Sequence, residues 1–173
     1  MTGKGEMGDK DGDPFQPILD SADLVARYTE MLRLVERLHR RLLDVVKDEF
    51  ERRGRDDVTS VQALILYNID DRILTASELR TRGYYLGSNV SYHTKKLVEQ
   101  GFLREVRMAR TAPSTFSLTE KGEEVRDIVV DLFVKHAQTI EPIGGIAPAD
   151  MGRVSQTLTR LERFWTDQIR YRL

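Results

Sequence analysis

The spacing of apolar residues predicts a mainly α-helical chain that begins with a long helix. Between Ser21 and Arg53 there is no Gly or Pro, and apolar residues recur at alternating intervals of four and three. This is the heptad pattern of helices that pack along a seam. A second apolar set, which includes Val46 and Phe50, lies off the seam, so one face can serve the helix's own domain and the other a second subunit. The alternative is a helix buried on both faces within a monomer.

The last helix, predicted from about Ala149 to Arg172, has a similar heptad line. Because helices suited to self-association occur at both ends of the chain, we expect a homodimer. The residues predicted at its interface are Leu24, Tyr28, Met31, Val35, Leu38, Met151, Val154, Leu158, Leu161 and Trp165.

The middle of the chain predicts a helix-turn-helix. A helix begins after Thr59 and has one apolar side, formed by Val61, Leu64, Ile65 and Ile69. The sequence Thr75-Ala-Ser-Glu78 has the form of a capping box and opens a short helix to about Arg82. Residues 83–87 then form a turn, and Ser88–Gly101 forms the next helix. In such a pair the second helix is the one that enters the major groove of DNA.

The helix over Ser88–Gly101 has two chemically different faces. One face is apolar and includes Leu97 and Val98. The other carries hydroxyl, amide and lysine side chains, which suit phosphates and base edges. A solvated amphipathic helix is the alternative for this stretch taken alone. The polar face consists of Ser88, Asn89, Tyr92, Lys95 and Lys96.

A β-hairpin follows this helix directly. Residues 102–107 alternate between apolar and charged, residues 108–113 form a loop, and residues 114–118 return as a second strand. A hairpin in this position is a wing, and Arg107 and Arg110 could reach an adjacent minor groove. The alternative is a surface hairpin that only completes the fold. An amphipathic helix over 123–140 then links the wing to the last helix.

Charge and composition narrow the function. The formal net charge is −1, but the stretch from Arg80 to Arg110 holds seven basic residues against two acidic ones. A basic patch on a near-neutral protein indicates one directed contact with an anionic surface. No cysteine and only three scattered histidines occur, which argues against a metal site, a cofactor or an enzyme. No apolar run approaches 18 residues, so we expect a soluble cytoplasmic protein that does not contact the membrane.

The order of these elements resembles the MarR family of winged-helix transcription regulators. The resemblance covers roughly residues 20–172, and its motifs are Ser60–Leu64, Leu74–Leu79, Asn89–Ser91 with Lys96–Val98, Gly101–Leu103, and Leu118–Gly122. It implies a winged helix-turn-helix flanked by N- and C-terminal dimerisation helices. We expect a flexible leader over 1–17 and a single domain over 18–173. Within that domain, 21–55 and 148–172 are dimerisation helices, 57–122 is the winged helix-turn-helix, and 123–140 is the linking helix.

One stretch and one departure refine the resemblance. Residues 82–92 look like those of an alphaproteobacterial subgroup linked to envelope remodelling and stress. The wing of the family usually carries an Asp-Arg motif that aims an arginine at the minor groove, whereas this chain has no aspartate at 110–114. Arg110 could take over the arginine's role.

The expected function is that of a homodimeric regulator, a repressor, that binds double-stranded DNA at a pseudo-palindromic site. A winged-helix dimer that binds protein instead of DNA is the alternative. The resemblance also implies a small aromatic or anionic effector in a cleft near Leu43, Val46, Leu64 and Tyr67, although core packing explains these residues equally well. The residues predicted to contact DNA are Ser88, Asn89, Ser91, Tyr92, His93, Lys95, Lys96, Arg104, Arg107, Arg110 and Thr111.

Overall fold

Six helices and three short strands occur in residues 20–83, 87–107 and 113–171, the part of the chain that the computed structural model describes. For residues 80–83 and 87–90 the description extends to the backbone only. The mainly α fold with a small wing sheet is therefore confirmed. The predicted leader, the helix-turn-helix turn at 84–86 and the wing tip with Arg110 and Thr111 lie outside the described residues. The elements are α1 (Ser21–Arg52), α2 (Ser60–Ile69), β1 (Leu74–Thr75), α3 (Ala76–Gly83), α4 (Gly87–Glu99), β2 (Leu103–Val106), β3 (Thr115–Leu118), α5 (Glu120–Thr139) and α6 (Pro148–Tyr171).

The core is built around α2, which packs along α5 and also contacts α3 and β3. The sequence predicted one apolar side for α2, but the helix is buried nearly all round, because neighbouring elements cover it on several sides. Val61, assigned to the apolar side, is only partly buried, whereas Leu66 is fully buried. From α5, Val125, Val129 and Leu132 complete this core.

Local signals place the helix boundaries. Thr59 and Gln62 form a capping box at the start of α2, and Thr75 and Glu78 form the predicted one at the start of α3. At the other end of α4, Gly101 adopts a φ of 77°. The amide groups after the helix bond back to its last carbonyls in the pattern of a Schellman motif, which ends the helix as the sequence predicted.

The wing sheet has three antiparallel strands in the order β1-β3-β2. The sequence predicted only the β2–β3 hairpin, because β1 has two residues and too few positions to display a period of two. The start of α5 packs directly on the start of β2: a Cβ on Gly122 would lie 2.2 Å from the carbonyl oxygen of Phe102. This position therefore has no room for any side chain.

The two predicted dimerisation helices carry exposed apolar residues in the single chain. Residues 20–42 form one compact unit and residues 43–171 belong to another. In the first unit Leu24 and Leu38 are more than half exposed, although Met31 and Val35 are partly buried. In the second unit Val46 and Phe50 of α1 join the core, whereas no residue of α6 is buried. The homodimer that these faces suggested stays a prediction.

Candidate nucleic-acid interface

The burial pattern of α4 confirms its two predicted faces over residues 91–98. Thr94 and Leu97 are buried against the core, and Val98 packs on it. Ser91, Tyr92, Lys95 and Lys96 are exposed on the opposite side. The backbone of Ser88 and Asn89 lies in the first turn of the helix. The exposed face is therefore free to approach another molecule.

Tyr92 organises two neighbours on this face. The Nζ atom of Lys96 lies 5.5 Å from the centroid of the Tyr92 ring, within the range of a cation–π contact. The ring of His93 meets Tyr92 edge to face at 5.2 Å. Burial lowers the pKa of His93, and the charge of Lys96 lowers it further. His93 is therefore a neutral imidazole at pH 7 and contributes no positive charge to this face.

A groove of about 760 Å³ separates α4 from the wing, with the start of α3 forming its third wall. Its charged residues are Lys95, Glu99 and Glu105, so the carboxylates outnumber the lysine among the described lining residues. Lys95 and Glu99 form an ion pair, with 3.8 Å between Nζ and Oε1. The excess of basic residues in the sequence stretch 80–110 is thus not concentrated in this groove.

The described wing arginines occupy different positions. Arg104 lies opposite Ser117 in the β2–β3 ladder, and Glu105 lies opposite Phe116, which lines the groove. Because successive strand residues point to opposite faces, Arg104 lies on the face away from the groove. Arg107 donates hydrogen bonds from Nε and Nη2 to Oγ of Ser114 at 3.2 and 2.9 Å, which ties the two wing segments together.

A polar network anchors the C-terminal end of α4. Nε2 of Gln62 donates to Oε1 of Gln100 at 3.0 Å, and Nε2 of Gln100 donates to the carbonyl oxygen of Asp57 at 3.4 Å. The Nζ atom of Lys121 donates to the carbonyl oxygen of Gln100 at 3.2 Å and lies 4.1 Å from the Phe102 ring centroid. The sequence analysis missed this network, because residues far apart in sequence carry no local signal of their contact.

Ion pairs extend the network to α5. Arg55 bonds to both carboxylate oxygens of Asp57, at 2.8 and 3.2 Å, and lies 3.6 Å from Glu124. The hydrogen bond from Arg55 holds the pKa of Asp57 below its ordinary value, and Lys121 lowers it further. The connection between α1 and α2 is thereby fixed to the start of α5 and to the end of α4.

Comparison with known proteins agrees with this geometry. Residues 58–122 match the family model of the winged helix DNA-binding domain. The chain is 29% identical to the exopolysaccharide II synthesis transcriptional activator ExpG of Rhizobium meliloti, over 95% of this chain and 80% of the relative.

Solved structures extend the match beyond this domain. The transcriptional regulator SlyA aligns with a TM-score of 0.68 and 18% identity, over 83% of this chain and 99% of SlyA. Staphylococcus aureus MarR, solved with salicylate and kanamycin, aligns with a TM-score of 0.65 and 18% identity, over 85% and 97% of the two chains. The chain is a winged-helix protein of the MarR type. In this MarR-type fold α4 is the recognition helix and β2–β3 is the wing.

The MarR-type fold also corrects the predicted effector cleft. Val46 and Leu64 are buried in the core, and Leu43 and Tyr67 pack against it. The Tyr67 ring meets Phe133 edge to face at 5.1 Å, so core contacts occupy this region. A separate cavity of about 310 Å³ lies between the end of α1 and the start of α2 and is lined by Lys47, Phe50, Arg55 and Val58, among others.

Two searches over the described part of the MarR-type chain gave no hit. No group of His, Cys, Asp or Glu side chains there is placed to hold a metal ion. Among the helices of residues 20–83, 87–107 and 113–171, none combines the length and apolar character needed to span a membrane.

Proposed function

We propose that the protein is a homodimeric transcription regulator that binds double-stranded DNA at a pseudo-palindromic site. The observation that carries the proposal is the exposed polar face of α4 beside the wing, in the part of the chain that matches winged helix DNA-binding domains. In such proteins the recognition helix reads base edges in the major groove while other side chains hold the phosphates.

The side chains of α4 divide into two roles. Lys95 and Lys96 are positive at neutral pH and neutralise phosphates. Ser91 and Tyr92, with Ser88 and Asn89 in the preceding turn, read base edges or the thymine methyl group. His93 is neutral and partly buried, so it supports the Tyr92 ring instead of binding a phosphate.

Phosphate contacts from the wing come from Arg107, with Arg110 and Thr111 at the tip. Arg107 is held by Ser114 beside the groove, which favours it over Arg104 as a DNA contact. Arg104 lies on the far face of the sheet, so we expect a smaller contribution from it.

The dimer brings two recognition helices to successive major grooves. The exposed apolar residues of α1 and α6 support self-association, since faces of this kind are costly to leave in water. Two equivalent helices related by a twofold axis require a site with the same symmetry, which is why we expect a pseudo-palindrome.

The direction of control has two candidates. The resemblance favours repression, whereas the Rhizobium meliloti relative is named an activator of exopolysaccharide synthesis. That relative also supports the envelope-linked subgroup, because an exopolysaccharide is a cell-surface product. We retain repression as the expectation. Transcripts next to the bound site should rise in a deletion strain if the protein represses, and a fall in these transcripts would instead indicate activation.

An effector would act by favouring a dimer spacing that does not fit DNA. The salicylate complex of Staphylococcus aureus MarR supports a small aromatic anion as the ligand class. The 310 Å³ cavity offers an apolar floor from Phe50 and Val58 and a cation from Lys47. A tenfold release of DNA requires a difference of about 1.4 kcal/mol between the two spacings. If salicylate raises the melting temperature but leaves DNA affinity unchanged, the cavity has no regulatory role.

Selection of bound fragments from random double-stranded DNA tests the central proposal. Wild-type protein should enrich a pseudo-palindromic sequence, and the Lys95→Ala/Lys96→Ala protein should enrich it weakly. The Lys135→Ala protein is the matched control, since Lys135 is an exposed lysine of α5. Enrichment of no sequence by a folded wild-type protein would contradict the proposal and favour the protein-interaction alternative.

A further inference from the structure

The ion pair between Lys95 and Glu99 lies on the face of α4 that we propose for DNA binding. Both side chains are well exposed, at 79% and 61%, and both line the groove between α4 and the wing. Glu105 lines the same groove from β2. A lysine that is expected to neutralise a phosphate therefore already has a carboxylate partner.

The two possible partners of Lys95 compete for the same charge. An exposed lysine–glutamate pair is weak, so Lys95 can exchange Glu99 for a phosphate without a large loss. The exchange is still less favourable than binding by an unpaired lysine, because the Glu99 carboxylate is left beside the phosphate. The counterion release that Lys95 would contribute is reduced for the same reason.

We infer that Glu99 limits the affinity of the protein for DNA by competing with phosphate for Lys95. The inference rests on the proposed function and adds a specific role for an acidic residue that no DNA-contact pattern would include. Glu99 acts through Lys95, so it is a positioning residue for a phosphate contact. A regulator whose phosphate binding is moderated in this way spends less time on non-specific DNA, where phosphates supply essentially all of the affinity.

The chain contains a close match for this pair on another helix. Lys47 and Glu51 of α1 are also four residues apart, 3.4 Å from each other, with side-chain exposures of 67% and 63%. Glu51→Gln removes the same charge from the same kind of pair, away from α4 and the wing. It is therefore the control for the general effect of making the protein less acidic.

The experiment measures binding of the full-length protein to the selected DNA site and to an unrelated duplex of equal length, over a range of KCl concentrations. Glu99→Gln should tighten binding to both duplexes by about threefold to tenfold near 0.1 M salt and steepen the salt slope by up to about 0.9. Glu51→Gln should change affinity less than twofold. In a Lys95→Met background, Glu99→Gln should have no further effect.

Three results would overturn the inference while leaving the proposed function intact. These are an unchanged affinity of Glu99→Gln, an equal gain from Glu51→Gln, and a gain from Glu99→Gln that persists in the Lys95→Met protein. The third result would mean that the carboxylate acts on DNA directly. If wild-type protein itself shows no salt-sensitive DNA binding, the proposed function fails first.

Discussion

The side-chain amide of Gln62 donates a hydrogen bond to the side-chain carbonyl of Gln100 at 3.0 Å, joining the start of α2 to the end of α4. Gln62 is 3% exposed, and its own carbonyl oxygen accepts from the backbone N–H of Thr59 at 2.9 Å. One buried amide thus caps a core helix and holds the recognition helix. The orientation of α4 is therefore set at its C-terminal end by the core of the domain.

Gln100→Ala should loosen this attachment. The change leaves the Nε2 donor of Gln62 without its partner, which costs about 1–3 kcal/mol of the free energy of unfolding. DNA affinity should fall as well, because α4 loses a fixed contact. Gln138→Ala, at an exposed position of α5, is the control. Urea unfolding and DNA titration check both effects, and equal stability of the two variants would contradict the assigned role.

Gly122→Ala should destabilise the protein because its Cβ would lie 2.2 Å from the Phe102 carbonyl oxygen. Relief requires α5 to move from β2, and overpacking of this kind costs about 1–3 kcal/mol. Gly152→Ala is the matched control, since α6 leaves open space there. Removing a glycine from a helix should stabilise by about 0.5–1 kcal/mol. Denaturant unfolding should give opposite signs for the two variants.

Leu38→Glu and Leu158→Glu should each disrupt the proposed dimer. An unpaired charge buried at an interface costs several kcal/mol, on the order of 3–5. Val134→Glu on α5 is the control, because Val134 is exposed to a similar degree and belongs to neither predicted interface helix. Sedimentation at micromolar concentration measures the outcome. A wild-type protein that sediments as a monomer would refute the dimer.

Glu49 should make stability depend on pH in the acidic range. It is buried and accepts hydrogen bonds from Arg53 and Arg52, and the Arg53 bond is the main reason that its pKa lies below the ordinary value of 4.5. Because the folded state binds the proton less tightly, this contribution is present above pH 4.5 and is lost as the pH falls through the lower folded pKa. Between pH 5 and 3, Glu49→Gln should lose less unfolding free energy than wild type. Parallel curves would contradict this coupling.

The features that sequence could predict are those with local signals. The Thr75–Glu78 capping box and the Gly101 stop are written within a few residues, and the structure has both. The heptad lines located α1 and α6 within a few residues. The amphipathic pattern of α4 correctly separated buried Leu97 from exposed Lys96.

The remaining features depend on contacts between distant segments. Gln62 and Gln100 are 38 positions apart, and neither has a pattern that marks the other. The two residues of β1 become a strand only through pairing with β3. A net charge over residues 80–110 could not show that Glu99 and Glu105 line one groove while Arg104 lies on the other face of the sheet.

The salt dependence of DNA binding tests the central claim most directly. For wild-type protein the logarithm of the association constant should fall linearly with the logarithm of salt concentration. Lys96→Ala should flatten that slope by about 0.9, the value for one phosphate contact. Lys95→Ala should flatten it less, because Glu99 already offsets part of its charge, and Lys135→Ala should leave it unchanged. A wild-type slope near zero, or lysine variants of α4 that match wild type, would contradict the assignment of α4 as the DNA-binding helix.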